Sequence, residues 1–331
     1  MEGISKKNLL YFFISLFLSL PFWWEINIFQ KDLEDTLFWS QAALDPQVLQ
    51  AQIGQKNDFQ MFRPQKIGDF PELQLSASSA IAVFVGSQGN PRVLFEKEKD
   101  LRLPIASLTK LMTANVALLN YDPNLEVVIS EDAVGQEEDF GGLKVGENFK
   151  IKDLVYMALI ESSNDAAFAL SEILGEKNFV GLMNVEAANF NMADTFYINS
   201  TGLDLEEKQG KEKLISYNYS TAFDLEKLAE YLLVKKPDIF EITKLAEYDL
   251  YTPDGAFHHK IKNTNELLNQ LSEEKIFGGK TGWTPLAQGC LILIVEAPNR
   301  QGKIINVVLG SPDRFAEMQN LVNWEKQAFK W

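Results

Sequence analysis

Cysteine and histidine are almost absent from this chain of 331 residues. It has a single cysteine, Cys290, and its two histidines, His258 and His259, are adjacent. One thiol permits no intramolecular disulfide, so cysteine usage says nothing for an oxidising compartment. Cys290 lies in the apolar run GCLILIVEA, where a thiol serves as a small buried hydrophobe rather than a nucleophile. With no HExxH and no Cys cluster, the expected metal complement is none, and no other cofactor is expected. Basic residues are also scarce, 31 Lys and Arg against 46 Asp and Glu, for a formal net charge of -15. That balance argues against nucleic acid as a partner, because phosphate backbones are held by clustered Lys and Arg. Internal repeats and low-complexity tracts are missing too.

What is present fits a globular protein: 46% hydrophobic and 23% charged residues, in a chain long enough for one large domain or two modest ones. The opening MEGISKKNLLYFFISLFLSLPFWWEINIF has Lys6 and Lys7 and then no charge until Glu25. As a helix, Leu9 to Trp24 would span ~24 Å, somewhat short of a ~30 Å hydrocarbon core. Trp23 and Trp24 suit the interface. A cleaved signal peptide needs a small-x-small site soon after the apolar run, and the nearest, Ser40 to Ala42, lies too far on. The expectation is therefore a single-pass N-terminal membrane anchor over residues 1–29, with everything after Glu25 extracytoplasmic; secretion after cleavage is the alternative. Residues 30–74, rich in Gln and Asp, read as a spacer with a short helix near Thr36 to Leu44.

From Leu75 the pattern is globular, and residues 75–331 are expected to form one domain. SAIAVFVG and RVLFEKE read as strands joined by a turn. Helical periods follow over Ser107 to Leu119, Ile151 to Ile160, Asp165 to Leu174, Asn178 to Asn191 and Thr221 to Val234. CLILIVEA and KIINVVLG read as strands, and a helix from Pro312 to Phe329 closes the chain. Strands at both ends with helices between predict an α+β fold, an antiparallel sheet built from the two chain ends with a helical region inserted.

Three short motifs carry chemistry. In PIASLTKLMTA, Ser107 stands three residues before Lys110 amid apolar side chains. Ser107 is expected to open a helix with Lys110 one turn on, along the same face. A helix N-terminus offers free N–H groups to an oxyanion, and a desolvated amine has a lowered pKa and can act as a base. The same residues also fit a serine N-cap followed by a snorkelling lysine. The spacing recurs in the polar run LSEEK, from Ser272 to Lys275, where it carries no meaning. In LIESSNDAAFAL a polar turn presents Ser162, Ser163 and Asn164 between two helices; a capped turn accounts for it equally well. In FGGKTGWT, Lys280 and Thr281 stand on an edge strand, where an amine beside a hydroxyl suits a carboxylate and Gly282 allows close approach. Each motif alone is also explained by ordinary structure.

Together, in the order SxxK, SxN, KTG, they match the motif set of serine β-lactamases and penicillin-binding proteins. The agreement extends to RLPIASLTKLMTA, GGLKVGENFKIKDLVYMALIESSNDAA, MNVEAANFNMADTFYINSTGLD, KNTNELL and GGKTGWT. From about Leu75 onward the chain resembles the D-alanyl-D-alanine carboxypeptidases, the low-molecular-mass penicillin-binding proteins.

That resemblance implies a β-lactamase/DD-peptidase-like fold and a serine peptidase acting on peptidoglycan stem peptides, with β-lactam antibiotics as inhibitors. It implies Ser107 as nucleophile, Lys110 as its base, Ser162 as proton relay to the leaving D-alanine, and Asn164 orienting Lys110 and the substrate amide. Lys280 and Thr281 would hold the terminal carboxylate, beside Gly282, and the backbone N–H groups of Ser107 and Trp283 would form the oxyanion hole. No histidine is required. A class A β-lactamase adds a glutamate in an ExxxN-type loop; the loose matches, Glu186 to Asn189 and Glu266 to Asn269, fall inside carboxypeptidase-like blocks. A DD-endopeptidase uses the same machinery, and a catalytically dead peptidoglycan-binding protein is the non-enzyme alternative. One departure stands out. Many of these enzymes carry a C-terminal β-rich domain ending in an amphipathic membrane helix, whereas this sequence stops about fifty residues past KTG. The N-terminal segment is the expected substitute anchor.

Overall fold

The computed structural model describes residues 63–86, 91–137, 141–209, 212–271 and 275–331. The expected anchor, the helix near Thr36 and Ser272 of the second SxxK copy lie outside these residues.

Five strands form the central sheet: β1 (Ser79–Gly86), β2 (Arg92–Lys97), β3 (Ile276–Thr284), β4 (Gln288–Glu296) and β5 (Gly302–Ser311). Their order is β3-β4-β5-β1-β2, with every pair antiparallel. The two chain ends meet where β5 pairs with β1, from Gly302 opposite Gly86 to Leu309 opposite Ser79. This is the sheet expected from the sequence, and β3, which carries KTG, is its edge strand.

The helices longer than four residues are α1 (Thr109–Asn120), α2 (Ile151–Ile160), α3 (Asn164–Glu172), α4 (Glu176–Asn189), α5 (Ala222–Lys235), α6 (Pro237–Thr243) and α7 (Arg314–Ala328). Helices cover both faces of the sheet, which is why its inner strands β1, β4 and β5 are apolar at nearly every position, with buried Asn306 an exception. Ile81, Val83, Ile292, Ile294, Ile305 and Val307 join the cluster that contains Leu225, Leu228 and Leu232 of α5. The intervening residues are buried as well, and α7 packs on β4 and β5. The same core cluster runs on through α1, α2, α3 and α4, so the helical insert and the sheet share one interior.

The expected spacer ends earlier than residue 74. Gln65–Lys66 pairs antiparallel with Phe329–Lys330, and Trp324 Nε1 donates to the Pro71 carbonyl at 2.8 Å. The Ala77 N–H donates to Glu317 Oε2 at 2.8 Å, with the Ser76 N–H on the other carboxylate oxygen. From Arg63 onward the segment therefore belongs to the same compact unit as the rest of the described chain. Among the described residues no helix is long and apolar enough to cross a membrane.

Candidate active site

Ser107 does not open an α-helix. It sits in a 3₁₀ turn, Ala106–Leu108, and α1 begins after it at Thr109. The helical run is broken at Ala106, which has φ of 46°, in the left-handed region that side chains rarely adopt. Two glycines press on this turn. A Cβ on Gly202 would meet the Ala106 carbonyl oxygen at 2.1 Å, and one on Gly282 would meet Ser107 N at 3.1 Å. The turn aims the serine into a cleft between the helical insert and the edge strand.

Lys110, the second residue of α1, is fully buried. Its Nζ donates to Ser107 Oγ at 2.8 Å, to Asn164 Oδ1 at 2.7 Å and to the Thr201 carbonyl at 2.9 Å. Asn164 is held from its other end, because its Nδ2 donates to the Glu137 carbonyl at 2.8 Å. Ser163 caps α3, its Oγ accepting from the Ala166 N–H at 3.1 Å. This cap turns Ser162, with φ of 68°, out of the helix and toward the cleft.

Ser162 faces the second buried lysine. Lys280 Nζ donates to Ser162 Oγ at 2.9 Å and to the Thr281 carbonyl at 3.0 Å. Burial, with Lys110 and then Arg314 nearby, pushes the Lys280 amine well below the usual lysine range. Thr281 Oγ1 shares a 2.5 Å hydrogen bond with Thr264 Oγ1.

These groups line one cavity of about 670 Å³, which includes Ser107, Ser162, Asn164, Thr281, Gly282 and Trp283. All eight residues singled out in the sequence therefore converge on one place: six on its wall, with Lys110 and Lys280 bonded to the wall serines behind it. Chemically this is one hydroxyl touching an amine and a second hydroxyl touching a second amine, with an arginine on the same wall. Trp283 contributes more than backbone, since its side chain is 53% exposed at the mouth.

Sequence reasoning missed Arg314 and Thr264, which line the same cavity. Burial lowers the Arg314 guanidinium below its ordinary value, and its Nε has no hydrogen-bond partner among the described residues. Thr264 lies in the block KNTNELL and could have been found there; no motif flags Arg314, the first residue of α7. Thr201 belongs to the block ending in STGLD, whose carbonyl role has no side-chain signature. Cys290 is buried as expected, and burial pushes its thiol up to about 11. The histidines line no part of the cavity: His259 Nε2 lies 3.3 Å from Glu161 Oε2, and His258 Nε2 lies 3.4 Å from Glu147 Oε2.

Known proteins carry the same pattern. Residues 66–313 match the family model of D-alanyl-D-alanine carboxypeptidases, peptidase family S11. A D-alanyl-D-alanine endopeptidase of Pseudomonas aeruginosa is 32% identical over 79% of this chain and 81% of its own. A D-alanyl-D-alanine carboxypeptidase of a Streptomyces species is 29% identical over 74% of this chain and 87% of its own. The crystal structure of penicillin-binding protein D2 from Listeria monocytogenes, in its cefotaxime-bound form, superposes with a TM-score of 0.64 at 28% identity, covering 77% of this chain and 99% of that one. The chain belongs to the D-alanyl-D-alanine carboxypeptidase family: it is a serine hydrolase with the mixed helix-and-sheet fold of the penicillin-binding proteins.

Proposed function

We propose that Ser107 carries the reaction, and that the substrate is the D-alanyl-D-alanine end of a peptidoglycan stem peptide. Ser107 Oγ attacks the carbonyl carbon between the two D-alanines while its proton passes to the neutral amine of Lys110, across the 2.8 Å contact in which the hydroxyl then donates and Nζ accepts. The N–H groups of Ser107 and Trp283 receive the oxyanion. The C–N bond then breaks as the departing D-alanine nitrogen gains a proton through Ser162, whose hydroxyl is tied to Lys280. Water adds to the acyl carbon, the ester bond to Ser107 Oγ breaks, and a proton of that water returns to Oγ by way of Lys110, releasing the shortened peptide with a new terminal carboxylate.

The observation that carries carboxypeptidase action is the cationic end of the cleft. Thr281 and Arg314 line the cleft together there, with Lys280 bonded to the Thr281 carbonyl behind the wall, a receptor for a free terminal carboxylate. Endopeptidase action is the second reading, favoured by the relative of that name at 32% identity. β-Lactams, which also carry a carboxylate beside a reactive amide, enter as substrate mimics. The full chain should release D-alanine from a peptide ending in D-Ala-D-Ala, and Ser107→Ala should abolish that release. Cleavage confined to cross-linked peptide dimers would select the endopeptidase reading, and no cleavage of either by folded protein would reject both.

The apolar segment near the N-terminus supports a membrane tether with the catalytic domain on the extracytoplasmic side. Extraction of the full-length protein by detergent but not by a high-salt wash is the expected result. Release by salt would count against the tether.

A further inference from the structure

The two histidines line no part of the cleft, yet they are built onto its wall. His258 Nδ1 and His259 Nδ1 lie 2.6 Å apart, and each outer nitrogen faces a carboxylate. His259 Nε2 is 3.3 Å from Glu161 Oε2, and His258 Nε2 is 3.4 Å from Glu147 Oε2. All four side chains are buried or half-buried. Glu161 is the C-cap of α2, lines the catalytic cavity and immediately precedes Ser162.

The turn around Ser162 is held by its neighbours. The Thr264 N–H donates to the Ile160 carbonyl at 3.2 Å, the Ser163 N–H donates to the Met157 carbonyl at 3.2 Å, and the Glu161 carboxylate meets His259. Between these anchors Ser162 has φ of 68°, a conformation that the surrounding contacts must impose. Of the three, only the Glu161 contact changes strength with a proton.

Counting protons gives the pair its chemistry. Each carboxylate takes an N–H and the central contact takes a third, whereas two neutral imidazoles carry only two. The complete chain therefore holds one extra proton, and a second would set two N–H groups head to head across 2.6 Å. Imidazole changes charge between about pH 5 and 8, so the chain is complete in acid and loses a contact as pH rises. The other charged groups on the packed elements are engaged elsewhere. Lys260 pairs with Glu247 at 2.7 Å and with Asp249 at 3.6 Å, and Lys262 also acts on Glu247. Lys150 and Lys152 act on Asp153 of α2, and beyond Ser162 the Lys280 amine is tied to Ser162 itself. The Lys144 backbone N–H holds Glu147 at 2.8 Å, and the Phe149 ring stands edge-on to His258 at 5.2 Å.

We propose that His258 and His259 form a one-proton clasp on Glu161, and that through Glu161 the clasp positions the Ser162 hydroxyl for proton delivery to the leaving amine. The inference rests on the DD-peptidase reading above and gives the histidines a positioning role, away from the reacting atoms.

The test is kcat/KM for D-alanine release by the full chain from Nα,Nε-diacetyl-L-Lys-D-Ala-D-Ala, in wild type, His259→Ala and His259→Gln. Ratios between proteins at one pH cancel every titration they share. Wild type should exceed His259→Ala about fivefold near pH 5.5, the worth of one partly exposed charge pair, with the ratio falling toward one near pH 8.5. The glutamine amide can still donate to Glu161 but has no proton to lose, so His259→Gln should exceed His259→Ala by the same factor at both pH values. Should His259→Ala fail to fold, the ratio of wild type to His259→Gln carries the test, falling as pH rises. A wild-type advantage that stays constant or grows with pH would overturn the clasp and leave the DD-peptidase reading intact. No release by wild type at any pH defeats that reading and the clasp with it.

Discussion

Lys110 and Lys280 are both almost completely buried, and each ends on a serine hydroxyl that faces the cleft. Lysine is rarely placed so. Three acceptors hold Lys110 and two hold Lys280, so neither amine is left without hydrogen bonds. On the proposed reading the pairs divide the work: Ser107–Lys110 makes the attack and Ser162–Lys280 passes a proton to the leaving nitrogen. On that reading Arg314, which lines the same cavity, adds charge for the terminal carboxylate. Arg314→Ala should therefore raise KM for a D-Ala-D-Ala peptide roughly tenfold, the scale of one charge-assisted contact, while kcat changes little. A C-terminally amidated peptide should be insensitive to the substitution. Steady-state kinetics on the two peptides measures both effects. SxxK, SxN and KTG were legible because each chemical unit lies within four residues of chain. Arg314 was not legible, since it stands 34 positions beyond Lys280 and reads as an ordinary first-turn residue of the closing helix.

At the scale of elements, the reactive turn is shaped by its neighbours. Ala106 adopts its left-handed φ because Gly202 and Gly282 crowd the backbone on either side, leaving no room for a regular helical start. Gly202 itself has φ of 88° and lies against the Ala106 carbonyl. Gly202→Ala should cost on the order of 2 kcal/mol and displace Ser107, slowing acylation by at least roughly tenfold. Denaturant unfolding and the rate of penicillin labelling would register the two losses separately. Helical periods revealed α2 to the residue and α5 to within one at each end; Thr221, read as its first residue, caps it instead. The displaced start of α1 was hidden: a left-handed alanine is imposed by contacts from more than ninety residues away, and periodicity reports only which face is apolar.

At the scale of the molecule, the sheet made from both chain ends is the platform on which the edge strand and the helical insert face each other. Its apolar strands and its ends-together topology were readable from continuous apolar runs and their order along the chain. The extra pairing of Gln65–Lys66 with Phe329–Lys330 was not, because two-residue strands leave no pattern. Buried acids set the pH response of this body. Glu226, on the helix that covers the sheet, has its carboxyl raised to about 8 by burial and then by Glu230. Its folded form keeps a proton that the unfolded chain releases near the ordinary value of 4.5. Its contribution is thus fully present below that value and is lost as pH rises toward 8. Glu226→Gln should make the protein more stable than wild type above pH 8, by roughly 3 kcal/mol, with the difference vanishing in acid. Thermal unfolding across that window would show it.

The central claim is that Ser107 is the nucleophile of a penicillin-sensitive DD-peptidase. Mass spectrometry of the full chain after brief exposure to a penicillin tests it most directly. The account predicts one adduct of the intact antibiotic's mass, carried by the tryptic peptide Leu103–Lys110 and absent from Ser107→Ala. An adduct on any other peptide, or none on folded protein, would contradict it.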